Sequence, residues 1–355
     1  MKIIFALPDL GSGGAERVVS LLSNELIDKG YSVDIIMMFG NRIQYQLHPQ
    51  INLIQLDLGG LSKFDRILKL RRQLKILIND NNEVIIVPFQ DSVLNTMLIA
   101  SFGLKTKIIA CERNNPYIKG TSLMKKLRAM LPYKFADYCV FQTPDARKYY
   151  SIVSDKSCSV IINPITIPQL SWNGKIDEKH LISICRLHKQ KNIPMTLEVI
   201  DLLKNKYPNI HLDIYGEGNM KDEILEEIRK RGLQNNITLC GTTKQVTQKL
   251  AEASIFISTS DFEGISNSML EAMAVGLPMV CTDCPIGGAR LMLGDGAGLL
   301  SEVGNIKQFA ENLDGLLHNH DKCRLMSAFA KEKASQYTLL NIAQCWIDVF
   351  NKLKK

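Results

Sequence analysis

Short apolar runs alternate with longer amphipathic segments along most of the chain. The runs that predict buried strands in the first half are Ile3–Leu7, Val33–Met38, Glu83–Pro88, Lys107–Cys111, Tyr138–Gln142 and Ser159–Ile162. Those in the second half are Leu181–Cys185, His211–Tyr215, Ile237–Cys240, Ile255–Ser258, Pro278–Thr282 and Gly298–Leu300. Because apolar strands that alternate with helices form parallel sheets covered on both faces, the pattern predicts an α/β fold.

The amphipathic segments predict the helices of this fold. Ala15–Lys29 has apolar residues from Val18 to Leu26 on one helical face, and Leu61–Asn79 has a similar pattern with many cations. Three further helices are predicted at Ile306–His318, Lys322–Gln336 and Leu339–Lys352.

The alternation is interrupted by Pro164, Pro168 and the polar stretch Ser171–Lys179. Prolines restrict the backbone to extended conformations, so this stretch predicts a connector. We therefore expect two doubly wound domains, residues 1–165 and 181–335, with a linker at 166–180. Residues 336–355 are expected to form a last helix that crosses back to the first domain. Ligands of such sheets bind at the carboxyl ends of the strands.

The composition is that of an ordinary folded protein and argues against general disorder. The 355 residues are 46% hydrophobic and 22% charged, with a net charge of +7. This charge is compatible with anionic partners and equally with a solvated basic surface. Ile3–Leu7 is too short for a signal peptide, and no later run approaches the ~20 apolar residues of a membrane span, so we expect no transmembrane segment.

Nine cysteines, several of them in strand-like runs, indicate reduced and buried thiols in a cytoplasmic protein. Cys281 and Cys284 form a single C-x-x-C pair. No second pair and no paired histidines complete a four-ligand site, so we expect no metal. A metal or redox role is the weaker alternative.

The segment Glu263–Glu271, which follows the fourth strand of the second half, carries the strongest chemical signal. Ser266 or Asn267 can cap the helix that begins there, so its first amides are available to a phosphate. Glu271 can accept hydrogen bonds from two ribose hydroxyls, and Glu263 can reach a group beyond the phosphate. The alternative is a capped helix with two incidental glutamates.

A second signal lies between the first strand and first helix of the second half. Arg186 follows the strand and Lys191 precedes the helix. Two cations there can hold a diphosphate and neutralise the charge on a departing one. The alternative is a solvated basic turn.

Glycine-rich turns follow two other strands. Gly11–Arg17 resembles a phosphate-cradling turn, but Glu16 stands where a dinucleotide-binding motif has its last glycine. Gly216-Glu217-Gly218 is equally compatible with ligand contact and with a simple connecting turn.

Taken together, these motifs resemble the retaining glycosyltransferases of family 4, which have the GT-B fold of two facing Rossmann-like domains. The similarity covers nearly the whole chain, and the residues that carry it are Gly13–Glu16, Asn163–Ile165, Arg186-Leu187, Lys191-Asn192, Gly216–Gly218, Glu263–Glu271, Cys284–Arg290 and Gly298–Leu300. Their order and spacing are specific to the family but not to one sugar.

The resemblance implies an N-terminal acceptor domain and a C-terminal nucleotide-sugar domain. It implies that Arg186 and Lys191 bind the donor diphosphate and that Glu263 contacts the donor sugar at the reacting centre. The residues expected to bind the donor are Gly13, Gly14, Gly216, Gly264, Ile265, Ser266, Asn267 and Glu271, of which Glu271 holds the ribose. No metal or other cofactor is implied, because the two cations and the helix amides bind the donor diphosphate in place of a metal ion.

The sequence departs from the family pattern after a central strand of the first domain. Many members have a histidine there, whereas this chain has Glu112-Arg113-Asn114. We expect Glu16, Glu112, Arg113 and Asn114 to contact the acceptor. Arg113 could grip an acceptor phosphate or be a structural arginine.

Basic residues are concentrated in two helix-like segments of the first domain, Leu61–Asn79 and Ile118–Phe135. Such helices lie on anionic membranes or bind diphosphate-linked lipids, although a surface helix packed on the core is the alternative. The resemblance then suggests a cytoplasmic enzyme, peripheral on the inner face of the cytoplasmic membrane, that extends a polyprenyl-diphosphate-linked saccharide.

The expected activity is transfer of a hexose or N-acetylhexosamine from a UDP-sugar, with retention of configuration, in O-antigen or capsule biosynthesis. The alternatives are a sugar-nucleotide epimerase of related fold and a non-catalytic sugar-nucleotide-binding protein. A nucleic-acid partner is not expected, because the basic segments lack interleaved aromatic residues.

Overall fold

The computed structural model describes residues 1–354 except 12, 79–82, 120–121 and 177–178. Ser12 of the first glycine-rich turn and Asn79 at the end of a predicted helix are therefore outside the described residues. The chain forms two compact units, one made of Met1–Pro164 with Leu339–Lys355 and the other of Ile165–Thr338.

The first unit is built on a seven-stranded parallel sheet. Its strands are β1 (Lys2–Leu7), β2 (Ser32–Met37), β3 (Asn52–Gln55), β4 (Val84–Pro88), β5 (Lys107–Glu112), β6 (Tyr138–Phe141) and β7 (Cys158–Val160), in the spatial order β3-β2-β1-β4-β5-β6-β7. Its helices are α1 (Gly14–Asp28), α2 (Lys63–Leu77), α3 (Asp91–Ser101), α4 (Leu123–Phe135) and α5 (Pro144–Tyr149).

The second unit is built on a six-stranded parallel sheet. Its strands are β8 (His180–Ile184), β9 (His211–Tyr215), β10 (Ile237–Gly241), β11 (Ile255–Ser258), β12 (Met279–Thr282) and β13 (Leu299–Ser301), in the order β10-β9-β8-β11-β12-β13. Its helices are α6 (Ile193–Leu203), α7 (Lys221–Lys230), α8 (Val246–Glu252), α9 (Asn267–Val275), α10 (Gly288–Leu293), α11 (Ile306–Leu317) and α12 (His320–Ser335). The last helix of the chain, α13 (Leu339–Leu353), belongs to the first unit.

The predicted α/β fold with two doubly wound sheets is confirmed. The central strands are continuously buried, as their apolar runs predict, and β1 and β4 show this pattern most clearly. The sequence analysis missed β3, an edge strand whose four residues are only half-buried or exposed. It also placed β7 one to two residues too late, because β7 is short and partly exposed.

The connector predicted at 166–180 is held against the second unit. The Trp172 backbone amide donates to Val275 O at 2.8 Å, and its indole Nε1 donates to Ala253 O at 3.0 Å. At the other boundary, Ile165 N donates to Tyr337 O at 2.8 Å. These bonds make the segment part of the second unit.

Helix α13 completes the core of the first unit. Trp346 is fully buried, with its ring 6.0 Å from that of Phe89 beyond β4, and Phe350 lies 6.2 Å from Tyr31. Among the described residues, every helix is too short or too polar to cross a lipid bilayer.

Both sheets reverse their strand order beside their first strand, so β1 neighbours β4 and β8 neighbours β11. The loops that leave the carboxyl ends of such strands diverge and form a crevice. The sequence motifs fall on these loops in both units.

Candidate active site

Three adjacent strands of the second unit carry the predicted donor residues. The Arg186–Lys191 segment follows β8, Gly216–Gly218 follows β9, and Glu263–Glu271 follows β11. Because these strands are neighbours and parallel, the three loops lie at the same edge of the sheet.

A short 3-10 turn, Lys189–Lys191, positions Lys191. The next residue, Asn192, has a left-handed backbone with φ of 44°, and its side chain caps α6 by accepting from Met195 N at 3.3 Å. Asparagine tolerates this conformation better than most residues. The turn and the cap therefore fix Lys191 at the amino end of α6.

The structure brings Lys191 and Glu263 together. Lys191 Nζ donates to Glu263 Oε1, and both side chains are largely buried, with 13% and 18% of their surfaces exposed. The Ser260 hydroxyl also donates to Glu263 Oε1, at 3.0 Å. Two donors therefore orient this carboxylate and leave Lys191 with further ammonium protons for an anion.

A second layer of hydrogen bonds holds the loops after β8 and β11 together. Asn192 Nδ2 donates to Asp261 Oδ1 at 2.6 Å, and Asp261 N donates to Gln190 O at 2.9 Å. The buried Thr259 hydroxyl lies 3.1 Å from the carbonyl oxygens of both Lys191 and Asn192. The sequence analysis missed Asn192 and Asp261 as positioning residues. The available signal was a capping residue directly after Lys191.

Helix α9 begins at the predicted motif, and Ser266 is its N-cap. The Ser266 side chain accepts from Met269 N at 3.5 Å, whereas Asn267 is the first helical residue. The amino end of α9 thus lies at the carboxyl edge of the sheet, where its amides and helix dipole favour an anion. Glu271 is half-buried in the second turn of the helix.

The Gly216–Gly218 turn packs directly on the loop that contains Arg186. Cys185 N donates to Tyr215 O at 2.9 Å, and Leu187 N donates to Glu217 O at 3.0 Å. A Cβ atom on Gly216 would lie 1.8 Å from Cys185 O. Glycine is therefore required by packing, and the turn supports the exposed Arg186 whether or not it also contacts a ligand.

A tight backbone approach also supports the start of the Glu263–Glu271 segment. A Cβ atom on Gly288, the buried first residue of α10, would lie 1.9 Å from Gly264 O. Just before it, Ile286 has φ of 72°, a conformation that costs a β-branched residue energy. The motif Cys284–Arg290 is thus shaped to receive the Gly264 backbone.

Replacing Gly288 by alanine is expected to lower kcat/KM by about tenfold to a hundredfold, because the Gly264 backbone must move and small misplacements at a reacting centre are costly. Gly315→Ala is the matched control, since its Cβ would meet nothing within 4 Å and it lies within α11. The control should keep full activity and an equal or higher Tm, because alanine favours a helix. Normal kcat/KM in a folded Gly288→Ala protein would contradict the supporting role.

The two thiols of the C-x-x-C pair are buried beneath the site. Burial raises the pKa of Cys284 to about 12 and also raises the pKa of Cys281. Cys284 Sγ donates to Ser260 O at 2.9 Å, and the Thr282 hydroxyl donates to the same oxygen at 2.5 Å. These groups fix the backbone at Ser260, and the thiols remain protonated. Among the described residues, no group of three or more His, Cys, Asp or Glu side chains could hold a metal ion.

In the first unit, Gly13 and Gly14 lie at the amino end of α1, beyond β1. The Glu16 side chain folds over Gly13, where an added Cβ would lie 1.8 Å from Glu16 Oε2, and Gln90 Nε2 donates to Glu16 Oε1 at 2.8 Å. Because Gln90 lies between β4 and α3, this bond ties the first turn of α1 to the loop after β4 at the crevice of the first sheet.

Glu112 is the last residue of β5, and Arg113 and Asn114 follow it at the same edge. The Glu112 carboxylate is 2% exposed and accepts from Asn114 N at 3.0 Å, from the Tyr133 hydroxyl at 3.4 Å and from the Tyr150 hydroxyl. Burial raises the pKa of both tyrosines, so their hydroxyls stay neutral donors. This environment favours a structural role for Glu112, while Asn114 is exposed.

The Arg113 guanidinium stacks over the Phe89 ring at 4.0 Å, and Nη1 lies 3.4 Å from Asn163 Oδ1. Its buried Nε and Nη2 have no hydrogen-bond partner among the described residues. The stacking supports the structural alternative, although the unpaired donors are compatible with an anionic ligand.

The chain is similar to a known family and to known proteins. Residues 169–333 match the family of glycosyl transferases group 1. The chain is 28% identical, over 97% of its length and 97% of the relative's, to N-acetylgalactosamine-N,N'-diacetylbacillosaminyl-diphospho-undecaprenol 4-alpha-N-acetylgalactosaminyltransferase of Campylobacter jejuni.

Two solved structures have the same fold over the whole chain. A variant of TarM from S. aureus, in complex with Fondaparinux, alpha-GlcNAc-glycerol and UDP, has a TM-score of 0.84 and 16% identity, covering 99% of each chain. HepE from Anabaena, in complex with UDP-glucose, has a TM-score of 0.83 and 19% identity, covering 100% of this chain and 99% of its own. The second unit of this chain therefore matches the glycosyl transferases group 1, and the whole chain has the GT-B fold.

Proposed function

We propose that this protein is a retaining glycosyltransferase that transfers a hexose or N-acetylhexosamine from a UDP-sugar to a saccharide acceptor carried on a polyprenyl diphosphate. The pathway proposed is bacterial surface polysaccharide assembly, of the O-antigen or capsule type. The observation that carries this proposal is the Lys191–Glu263 contact beside the amino end of α9.

The arrangement suits a nucleotide-sugar donor. Lys191, Arg186 and the amides at the start of α9 are groups that bind a diphosphate. Glu263 and Glu271 are acceptors for sugar and ribose hydroxyls on either side of it. Support comes from the UDP and UDP-glucose in the complexes of TarM and HepE, and from the undecaprenol-linked substrate in the name of the C. jejuni relative.

The anomeric configuration of the sugar is retained when the acceptor hydroxyl attacks on the same face that the diphosphate leaves. The bond from the anomeric carbon to the β-phosphate oxygen breaks, the bond to the acceptor oxygen forms, and the departing phosphate takes the acceptor proton. Lys191 and Arg186 stabilise the negative charge that develops on the leaving group. The α-anomer of the donor then gives an α-linkage.

Chelation is expected to leave turnover unchanged, because Arg186, Lys191 and the α9 amides supply the positive charge that a divalent ion would supply. The measurement is UDP release with and without EDTA, followed by addition of magnesium or manganese. Loss of turnover in EDTA, restored by either ion, would contradict the cation-assisted mechanism.

The overall proposal is tested with the same UDP-release assay. The donors are a panel of UDP-hexoses and UDP-N-acetylhexosamines, and the acceptor is a polyprenyl-diphosphate saccharide. Transfer with an α-linkage by NMR supports it. Conversion of the UDP-sugar into an epimer without transfer to the acceptor indicates an epimerase. A Tm that rises on addition of a UDP-sugar, without turnover, indicates a binding protein.

We also propose that the protein works at the inner face of the cytoplasmic membrane, held there peripherally. Lys63, Arg72 and Lys75 are exposed cations of α2 and suit anionic headgroups. The other α2 arginines are engaged within the first unit: Arg71 Nη1 donates to Phe102 O at 2.6 Å, and Arg66 lies over the Phe39 ring.

A further inference from the structure

Helix α4 presents an exposed apolar stripe on the surface of the first unit. Met124, Leu127, Leu131 and Phe135 are 67%, 51%, 50% and 69% exposed. They recur at intervals of three and four residues, which places them on one face of the helix. Met130 and Tyr133, each 2% exposed, pack the opposite face on the core. The stripe is therefore not needed to attach α4 to the unit.

Cations accompany the stripe. Lys125, Arg128 and Lys134 are exposed on the same helix, and α4 contains no acidic residue. By the 100° rotation per residue of an α-helix, Arg128 and Lys134 fall on opposite sides of the apolar face. An apolar face bordered by cations on both sides complements a surface that is apolar inside and anionic outside.

Helix α2 lacks this organisation. Its exposed apolar residues, Phe64 and Ile76, are 69% and 75% exposed but lie near opposite ends of the helix. The cations of α2 can therefore attract an anionic surface, whereas α4 has the face that can enter it.

We propose that α4 is the membrane-docking element of this protein and lies in the headgroup region of an anionic bilayer, with Met124, Leu127, Leu131 and Phe135 inserted. This inference deepens the proposed function, on which it rests, by assigning the contact with the lipid surface to one helix and to its apolar face. The loop with Asn114 and a 3-10 turn, Pro116–Lys119, come between β5 and α4, so α4 is the next α-helix after this strand. Docking would thus hold this end of the first sheet near the headgroups, where the diphosphate of a lipid-linked acceptor lies.

The test is sedimentation of the full-length protein with vesicles of phosphatidylcholine alone or with phosphatidylglycerol. Wild type should bind the anionic vesicles better than the neutral ones. The double variant Leu127→Ser, Leu131→Ser should bind the anionic vesicles at least about tenfold more weakly, because each inserted leucine contributes a favourable free energy of transfer from water to the bilayer. The matched control is Leu202→Ser with Leu325→Ser, because those leucines are 60% and 62% exposed in the second unit. The control should bind like wild type.

Three further readouts sharpen the assignment. Glutamine substitutions at all three exposed cations of α4 should remove the preference for anionic vesicles and the sensitivity of binding to salt; these cations are Lys125, Arg128 and Lys134. A Phe135→Trp reporter should shift its fluorescence to the blue on binding and be quenched by brominated lipid. Donor hydrolysis should be unchanged in all of these variants.

Equal vesicle binding by wild type and the Leu127, Leu131 variant would overturn the proposal. The proposal would also fail if the Leu202, Leu325 control lost as much vesicle binding as the Leu127, Leu131 variant. A dimer in lipid-free solution that the same variant dissociates would assign the stripe to a second copy instead. If wild type binds vesicles through α4 but neither hydrolyses nor transfers any UDP-sugar, docking stands and the proposed function fails.

Discussion

Replacement of Lys191 by alanine is expected to lower turnover by at least about a hundredfold while the protein stays folded. Loss of one preorganised charge contact to a developing anion typically has this effect. The Lys191 ammonium is held by its 3-10 turn and by Glu263, so its position is preorganised. Arg186→Ala should show a loss of the same kind, because it removes the other cation.

Lys189→Ala provides the control for Lys191. Lys189 belongs to the same short turn but is exposed, so its loss removes a charge without removing the contact to Glu263. Single-turnover rates and circular dichroism of both variants separate chemistry from folding. Near-normal turnover in Lys191→Ala, or an equal loss in Lys189→Ala, would refute the leaving-group role.

The ion pair also predicts that the two substitutions are not additive. Lys191→Ala leaves the Ser260 hydroxyl donating to Glu263, and Glu263→Gln removes the charge that Lys191 faces. The double variant should therefore lose less than the sum of the two single losses, as residues in one network do.

The hydrophobic pattern was sufficient to predict the two sheets because most of their strands are buried on both faces. Where burial is incomplete the pattern weakens, and this explains the missed β3 and the displaced β7. The order of the strands within each sheet was not predicted, because it depends on the crossover connections between parallel strands rather than on any one residue.

The site was predictable in part. A cap at Ser266 or Asn267 could be foreseen, because capping depends on residue type and local spacing, and the structure shows that Ser266 is the cap. The contact of Lys191 with Glu263 could not, because 72 residues separate them and the pairing depends on β8 lying beside β11. The requirement for Gly216 is similar, since the atom that excludes a side chain there is the carbonyl oxygen of Cys185, the residue directly after β8.

Burial is the property that the sequence could not supply for the first unit. Glu112 was expected to contact an acceptor because it stands in the region where many members of the resembled family have a histidine. In the fold, Tyr133 and Tyr150 reach the same point from α4 and from the residue after α5, and they enclose its carboxylate. Arg113 is likewise covered by Phe89 and by Trp346, which comes from the far end of the chain.

The two glutamates of the second unit are expected to have different kinetic signatures. Glu263 is oriented by Lys191 and Ser260 at the point proposed for the reacting sugar, so Glu263→Gln should lower kcat about a hundredfold with little change in KM. Glu271 lies one helical turn inside α9 and is proposed to hold the ribose, whose hydrogen bonds are the same in the ground and transition states. Glu271→Gln should therefore raise the donor KM about tenfold and leave kcat nearly unchanged.

Steady-state kinetics with varied donor and saturating acceptor separate these outcomes. Glu332→Gln in α12 is the control, because it removes one exposed negative charge from the same unit away from the three site loops. It should match wild type in both constants. A raised KM for Glu263→Gln together with a lowered kcat for Glu271→Gln would exchange the two roles. An unchanged kcat and KM in both variants would remove the glutamates from the donor site, because neither carboxylate would then contact the sugar or the ribose.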